Sequence, residues 1–198
     1  MSRKVVRDRG PGAAVSRAAR APAGRPVPEY TRQFMAGLHD ANVSLIAALP
    51  ESLLKSIYRE CEADPSLRYV LVSNEADLPG IIAGTYLAGR RGLMIMENSG
   101  IRQCCEPVAR FAFCHGMPLV MVMSYRGEFG ERNWWGHNHS QVMVPLLAAL
   151  RIPMRVISRP EELRDAIGKA FTHADASQWP VALVLTGDCT EMPSHATN

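Results

Sequence analysis

The sequence predicts an α/β three-layer sandwich built on a six-stranded, mainly parallel sheet. Two observations carry that prediction. Six short runs rich in Val, Ile, Leu and Met alternate with stretches whose apolar residues recur at helical spacing. Several of the runs are apolar on both faces, as strands are when helices cover both sides of a parallel sheet. At 198 residues the chain fits one domain with length enough for a full core.

The elements follow in order from Glu29. EYTRQFMAGLHDA has apolar residues at helical spacing, and VSLIAAL is the strand after it. ESLLKSIYREC reads as a helix with Pro65 closing its exit, then RYVLVS as a strand. PGIIAGTYLAG is a helix that tolerates its glycines, and GLMIME a strand. EPVARFAFCHG is the next helix and PLVMVMS a strand apolar throughout. A long loop, Ser124 to Ser140, leads to the helix SQVMVPLLAALR, with Pro145 inside it, and the strand MRVIS. RPEELRDAIGKAFTHA opens with Pro160 and acids in its first turn, as helix starts prefer, and VALVLTG is the last strand. The predicted domain covers 29–190, with a short C-terminal tail over 191–198.

Charge narrows the function classes. The net charge is +3, but residues 1–28 hold seven basic residues against Asp8 alone, a local +6 that leaves the body near −3. The body is therefore not a nucleic-acid binder by charge. The Arg/Ala/Pro/Gly-rich stretch 1–28 lacks aromatics and periodicity and reads as a disordered basic tail. No apolar run approaches the roughly 20 residues of a membrane span. Without a secretory h-region the expected location is the cytoplasm, and the five cysteines, odd in number and without a CxxC pair, read as reduced thiols.

Ligand sites in such sheets lie beyond the carboxyl ends of the strands. Glu75, the turn Glu97 to Gly100 and the loop SYRGEFGERNWWGHNHS all occupy such ends. A carboxylate at Glu75 either caps the helix that follows or meets a ligand that needs it, and Asp77 is the other candidate cap. GTYLAGRR has the glycine spacing of a phosphate-binding loop, but Arg90-Arg91 stand where Lys-Ser/Thr is required and the stretch sits inside a helix. Ser99 lies at a strand-to-helix turn, yet Glu97 and Ile101 replace the flanking glycines of a hydrolase elbow. His137 and His139 alternate in a loop with no Cys or acid at ligand spacing, a weak metal signal, and no metal site is assigned. Of two adjacent tryptophans, Trp134 and Trp135, at least one is expected to meet a ligand or another chain.

Three segments, SNEADLPGIIAGTYLAGRRGLMIMENSG, SYRGEFGERNWWGH and LLAALRIP, resemble the pyrimidine-binding part of thiamine-diphosphate-dependent 2-oxoacid decarboxylases. The likeness, over roughly Val43 to Asp188, is to the sulfopyruvate decarboxylase alpha chain and phosphonopyruvate decarboxylase. It implies that Glu75 hydrogen-bonds the cofactor's aminopyrimidine and sets the tautomer that removes the thiazolium proton, while the thiazolium takes up electrons as CO₂ leaves. It implies further that Asn98, Ser99 and Gly100 flank the pyrimidine. His137 would exchange protons with the substrate. Ser52 and Arg126 would bind the substrate, with Arg126 alternatively pairing with Glu128 or Glu131.

The sequence departs from the family in places. Where the family has Gln and then Asn-Ser-Gly-Leu-Gly-Asn, this chain has Glu97 and then Asn98 to Gln103, with Arg102 replacing a glycine. Pro50-Glu51-Ser52 replaces the family's Pro-Cys-Ser or Pro-Cys-Thr, so Glu51 would repel a sulfonate or phosphonate. The family's diphosphate and Mg²⁺ site, Gly-Asp-Gly followed by an Asn ligand, has no counterpart here: Cys189 follows Gly187-Asp188. The resemblance thus implies a two-component enzyme, this chain with a separate beta subunit that holds the diphosphate and Mg²⁺. The hetero-oligomer would contain two or more copies of each chain. Its reaction would be decarboxylation of a small 2-oxoacid, with capture of a second carbonyl (carboligation) as a further outcome. The other reading is a non-catalytic regulatory or binding subunit that keeps the fold.

Overall fold

The computed structural model describes residues 26–191. The basic stretch up to residue 25 and residues 192–198 lie outside the described residues. Twelve helices and strands alternate: α1 (Glu29–Asp40), β1 (Val43–Ala48), α2 (Lys55–Ala63), β2 (Arg68–Leu71), α3 (Leu78–Leu87), β3 (Arg91–Glu97), α4 (Ile101–Ala109), β4 (Val120–Ser124), α5 (His137–Ala149), β5 (Met154–Ile157), α6 (Leu163–Ser177) and β6 (Val181–Leu185). All five strand pairings are parallel, in the order β2-β1-β3-β4-β6-β5.

Alternation along each strand divides the core into two layers. Leu93 and Ile95 of β3 and Val120 and Val122 of β4 face α1, α2 and α6, packing with Phe34, Ile57 and Ile167. Met94, Met96, Met121 and Met123 point the other way, against Leu78 and Ile82 of α3, Ile101 and Cys104 of α4 and Met143 of α5. Both faces of β3 and β4 are thus sealed, which is why these strands read as unbroken apolar runs.

The order of strands positions the site. From β1 the chain crosses to β2 at one edge, and from β3 it crosses to β4 in the opposite direction. The carboxyl ends of β1 and β3 therefore flank a crevice that no connection covers, the place where open α/β sheets take ligands. β2 is one of the two edge strands and is only half covered, so the strand before Glu75 is not a buried one.

Two helices begin earlier than their composition suggests. α4 starts at Ile101, directly from the short turn Asn98–Gly100, and carries Pro107 inside it. The missing amide of Pro107 breaks the regular ladder, and a wider turn over Arg110–Cys114 follows. α5 starts at His137, because the Gly136 amide closes a turn on the Asn133 carbonyl and the His139 amide closes the next on Gly136. Both histidines expected in a loop thus lie in the first turn of a helix. Among the described residues no helix is long and apolar enough to cross a membrane.

Candidate active site

Glu75 opens a single short helical turn, Glu75–Asp77, between β2 and α3. The cap of that turn is Asn74, whose side-chain oxygen accepts the Ala76 amide at 2.9 Å, while Asp77 is exposed. Capping is therefore done by the residue before Glu75, and its carboxylate is left for other work. That side chain is half-buried and lies against Gly100: a Cβ there would come within 2.7 Å of the Glu75 Cγ and 2.9 Å of the Met96 sulfur. Among the described residues the Glu75 carboxylate has no hydrogen-bond partner. The thiol of Cys104, which burial pushes up to about 12, donates to the Glu75 carbonyl at 3.0 Å and pins the backbone beneath it. Gly100→Ala should therefore swing Glu75 aside, a displacement that a crystal structure of the variant would show, while the far-UV spectrum stays unchanged.

Asn98 is fully buried and joins the ends of β3 and β4. Its amide nitrogen donates to the Arg126 carbonyl at 2.8 Å, and its oxygen accepts the Arg126 amide at 3.1 Å. Both ends of the side chain are thus engaged with the loop, and Asn98 acts on the site by fixing where Arg126 begins. Ser99 donates to Glu97 Oε1 at 2.8 Å.

Arg126 is 4% exposed. One terminal nitrogen donates to the Ser52 hydroxyl at 3.0 Å, bringing together the two residues read as substrate contacts. The rest of the guanidinium lies 3.8 Å from Glu97 and 3.7 Å from Glu131, over the ring of Trp135 at 5.1 Å. Its Nε and Nη1 have no hydrogen-bond partner. Of the two acids read as its possible partners, Glu131 is the one it meets; Glu128 is exposed and pairs with Thr186. Glu131 also organises the loop. Burial works against its charge, but the amides of Asn133 and Gly127 and the nearby Arg126 together hold its carboxyl below the usual range. Gly127, at φ +84°, has no alternative: a Cβ would stand 2.5 Å from the Gly136 carbonyl.

His137 stands exposed at the head of α5. His139, two residues on, is buried, with Nδ1 3.2 Å from Glu97 Oε1 but without a hydrogen bond, and its ring is 5.5 Å from Trp135. Burial lowers its pKa, outweighing the pull of Glu97, so the neutral imidazole is favoured. Glu51, which the sequence reading took only as a charge that repels anionic substrates, lies just past the end of β1. One carboxyl oxygen accepts the Leu53 amide at 2.6 Å and the other is buried without a partner; burial, with Glu97 adding to it, raises its pKa. The signal for His139 was available: from Gly136, a helix turns position 139 back toward the sheet and position 137 away. Trp134 is 84% exposed and Trp135 only 36%. Among the described residues no three His, Cys, Asp or Glu side chains gather to hold a metal ion.

The sulfopyruvate decarboxylase alpha subunit of Methanothermobacter thermautotrophicus is 29% identical over 150 residues, 76% of this chain and 91% of the relative. That of Methanocaldococcus jannaschii is 29% identical over 148 residues, 75% of this chain and 88% of the relative. The chain is related to the alpha subunits of sulfopyruvate decarboxylase. Phosphonopyruvate decarboxylase of Streptomyces viridochromogenes, 30% identical over 100 residues, matches half of this chain, which spans only a quarter of that longer enzyme. No family model matches. The fold is that of benzoylformate decarboxylase from Polynucleobacter necessarius, at a TM-score of 0.66 and 17% identity over 86% of this chain; the chain spans about a third, 32%, of that one.

Proposed function

We propose that this chain is the pyrimidine-binding subunit of a two-component thiamine-diphosphate-dependent enzyme that decarboxylates a 2-oxoacid. The observation that carries the reading is the Glu75 carboxylate: half-buried, without a partner among the described residues, and resting on a glycine that leaves room for it. A carboxyl so placed fits a protonatable ring nitrogen, as the aminopyrimidine offers. The names of the relatives support decarboxylation and the term alpha subunit supports a partner chain.

The residues divide the work. Glu75 holds or shares a proton at the pyrimidine nitrogen. Asn98 and Ser99 fix the turn beneath it, and Gly100 keeps it clear. Arg126, with Ser52, binds and orients the substrate carboxylate. His139, neutral and set beside Glu97, is the proton-exchange group we assign to the interior of the site, with His137 at its rim. Bound thiamine diphosphate supplies the electron sink for CO₂ loss. The diphosphate and Mg²⁺ are held by the second subunit, and the exposed Phe129 and Trp134 at the same edge are the anchors we assign to it. Coupling the product to a second carbonyl would use the same residues; product analysis distinguishes it from aldehyde release.

Calorimetry tests the division between subunits. Thiamine diphosphate with Mg²⁺ should bind tightly to this chain only when it is co-purified with a chain bearing a Gly-Asp-Gly diphosphate site. Equally tight binding to this chain alone would refute the shared site.

A further inference from the structure

β3 ends on a carboxylate, Glu97, where the family pattern has glutamine, and three side chains surround it. Ser99 donates its hydroxyl to Oε1 at 2.8 Å. Arg126 brings its Nε to 3.8 Å from Oε2. From the first turn of α5, His139 brings Nδ1 to 3.2 Å from Oε1. The His139 amide bonds the Gly136 carbonyl and its ring lies 5.5 Å from that of Trp135, so the imidazole is confined beside the acid.

The two nitrogens of that ring differ. Nδ1 is buried, makes no hydrogen bond, and faces Glu97. Nε2 makes none among the described residues either, but it is not buried. A carboxylate accepts and cannot donate, so a neutral imidazole beside it is favoured with its proton on Nδ1. Nε2 is then the bare nitrogen, and it is the one that reaches the surface. Glutamine at 97 would offer Nδ1 a donor or an acceptor equally and so fix neither form. A small turn of the ring closes the bond to Glu97, as catalytic hydrogen bonds commonly tighten only in the substrate complex.

Resting on the decarboxylase reading above, we propose that Glu97 is a positioning residue that acts through His139, holding the proton on Nδ1 so that Nε2 exchanges protons with the substrate. The carbon that CO₂ leaves takes a proton from Nε2, and solvent replaces it. Ser99 and Arg126 hold the carboxylate in place for that task. Charged groups face the ring from β3 (Glu97), from α4 (Arg102) and from the loop after β4 (Arg126 and Glu131). The acids favour the imidazolium, Glu97 more than Glu131, while burial and the arginines oppose it. Without the Glu97 charge, His139 therefore loses its proton at lower pH.

The test uses the full chain co-purified with its partner subunit. The probe is whichever of pyruvate, 3-sulfopyruvate and 3-phosphonopyruvate the wild type decarboxylates fastest, followed by CO₂ release. Glu97→Gln should lower kcat by about 10²-fold or more, with KM changing much less. The alkaline limb of its kcat–pH profile should move to lower pH by about one unit. His139→Gln should lose a similar factor, and the double variant should be no slower than His139→Gln, since nothing is left to position. Multiplying losses overturn the inference and leave the decarboxylase reading standing, as does an unchanged rate and profile in Glu97→Gln or an unchanged rate in His139→Gln. Nitrogen NMR of the histidine-labelled full chain reads the tautomer without turnover. Neutral His139 should carry its proton on Nδ1, and Glu97→Gln should mix the two forms. A wild-type proton on Nε2 overturns the inference, and this measurement decides alone if Glu97→Gln fails to assemble. Turnover of none of the three acids overturns the decarboxylase reading, and the catalytic role of the pair with it.

Discussion

Glu75→Gln should lower turnover of the assembled enzyme by roughly 10²–10⁴-fold, the range for losing a positioned proton-transfer group. Glutamine keeps the volume against Gly100 and can still hydrogen-bond a ring nitrogen, but it cannot hold the proton that a carboxyl shares. Cofactor affinity should therefore change much less than kcat, and calorimetry beside steady-state kinetics separates the two. The competing role predicts otherwise. A capping residue would show its loss as a lower melting temperature, yet the cap here is Asn74, through its bond to the Ala76 amide. Glu75→Gln should melt with the wild type, within the ~0.5 kcal/mol typical of substitutions outside the core. An unchanged rate would remove Glu75 from the chemistry.

Arg126→Met should be the most destabilising single change at the site. The guanidinium is the counter-charge for Glu97 and Glu131, and its side chain is 5% exposed, as is that of Glu131. Removing one partner of a buried pair strands the other's charge, at a cost of about 3–5 kcal/mol. Urea unfolding followed by circular dichroism would read this as a lower midpoint with an unchanged slope. Adding Glu131→Gln should restore part of the loss, since the stranded charge is then gone; additive losses would show that the two do not interact. Activity should not return with stability if Arg126 seats the substrate carboxylate as proposed.

The fold was legible because each strand announces itself twice, by β-branched or apolar composition and by the helical spacing that follows. β3 and β4 are apolar on both faces, and that feature alone implies a covered parallel sheet. Strand order was not legible, since RYVL shows no sign that it would lie at the edge. Glu75 and the turn Asn98–Gly100 were found as a pair through the resemblance, and the close approach at Gly100 supplies a physical reason for the pairing. The interior half of the site was hidden. His139 looked like its neighbour His137 until the helix start at Gly136 turned one inward and left the other exposed. Asn98 read as a ligand contact, but its amide joins two strand ends, a role that depends on β3 and β4 being adjacent. Such pairings arise from tertiary contacts between residues 28 positions apart and have no local signature.

One feature of the core bears on how firmly this pocket is shaped. Beneath Gly100 lies the Met96 thioether, with the Cys104 sulfur 3.6 Å away and Met94, Met121, Met123 and Met143 in the same layer. Unbranched thioethers re-seat by small bond rotations at little cost, where a β-branched wall would resist. The floor under the acid is thus a compliant cushion, able to yield when a ring settles onto it while the strands beneath stay still.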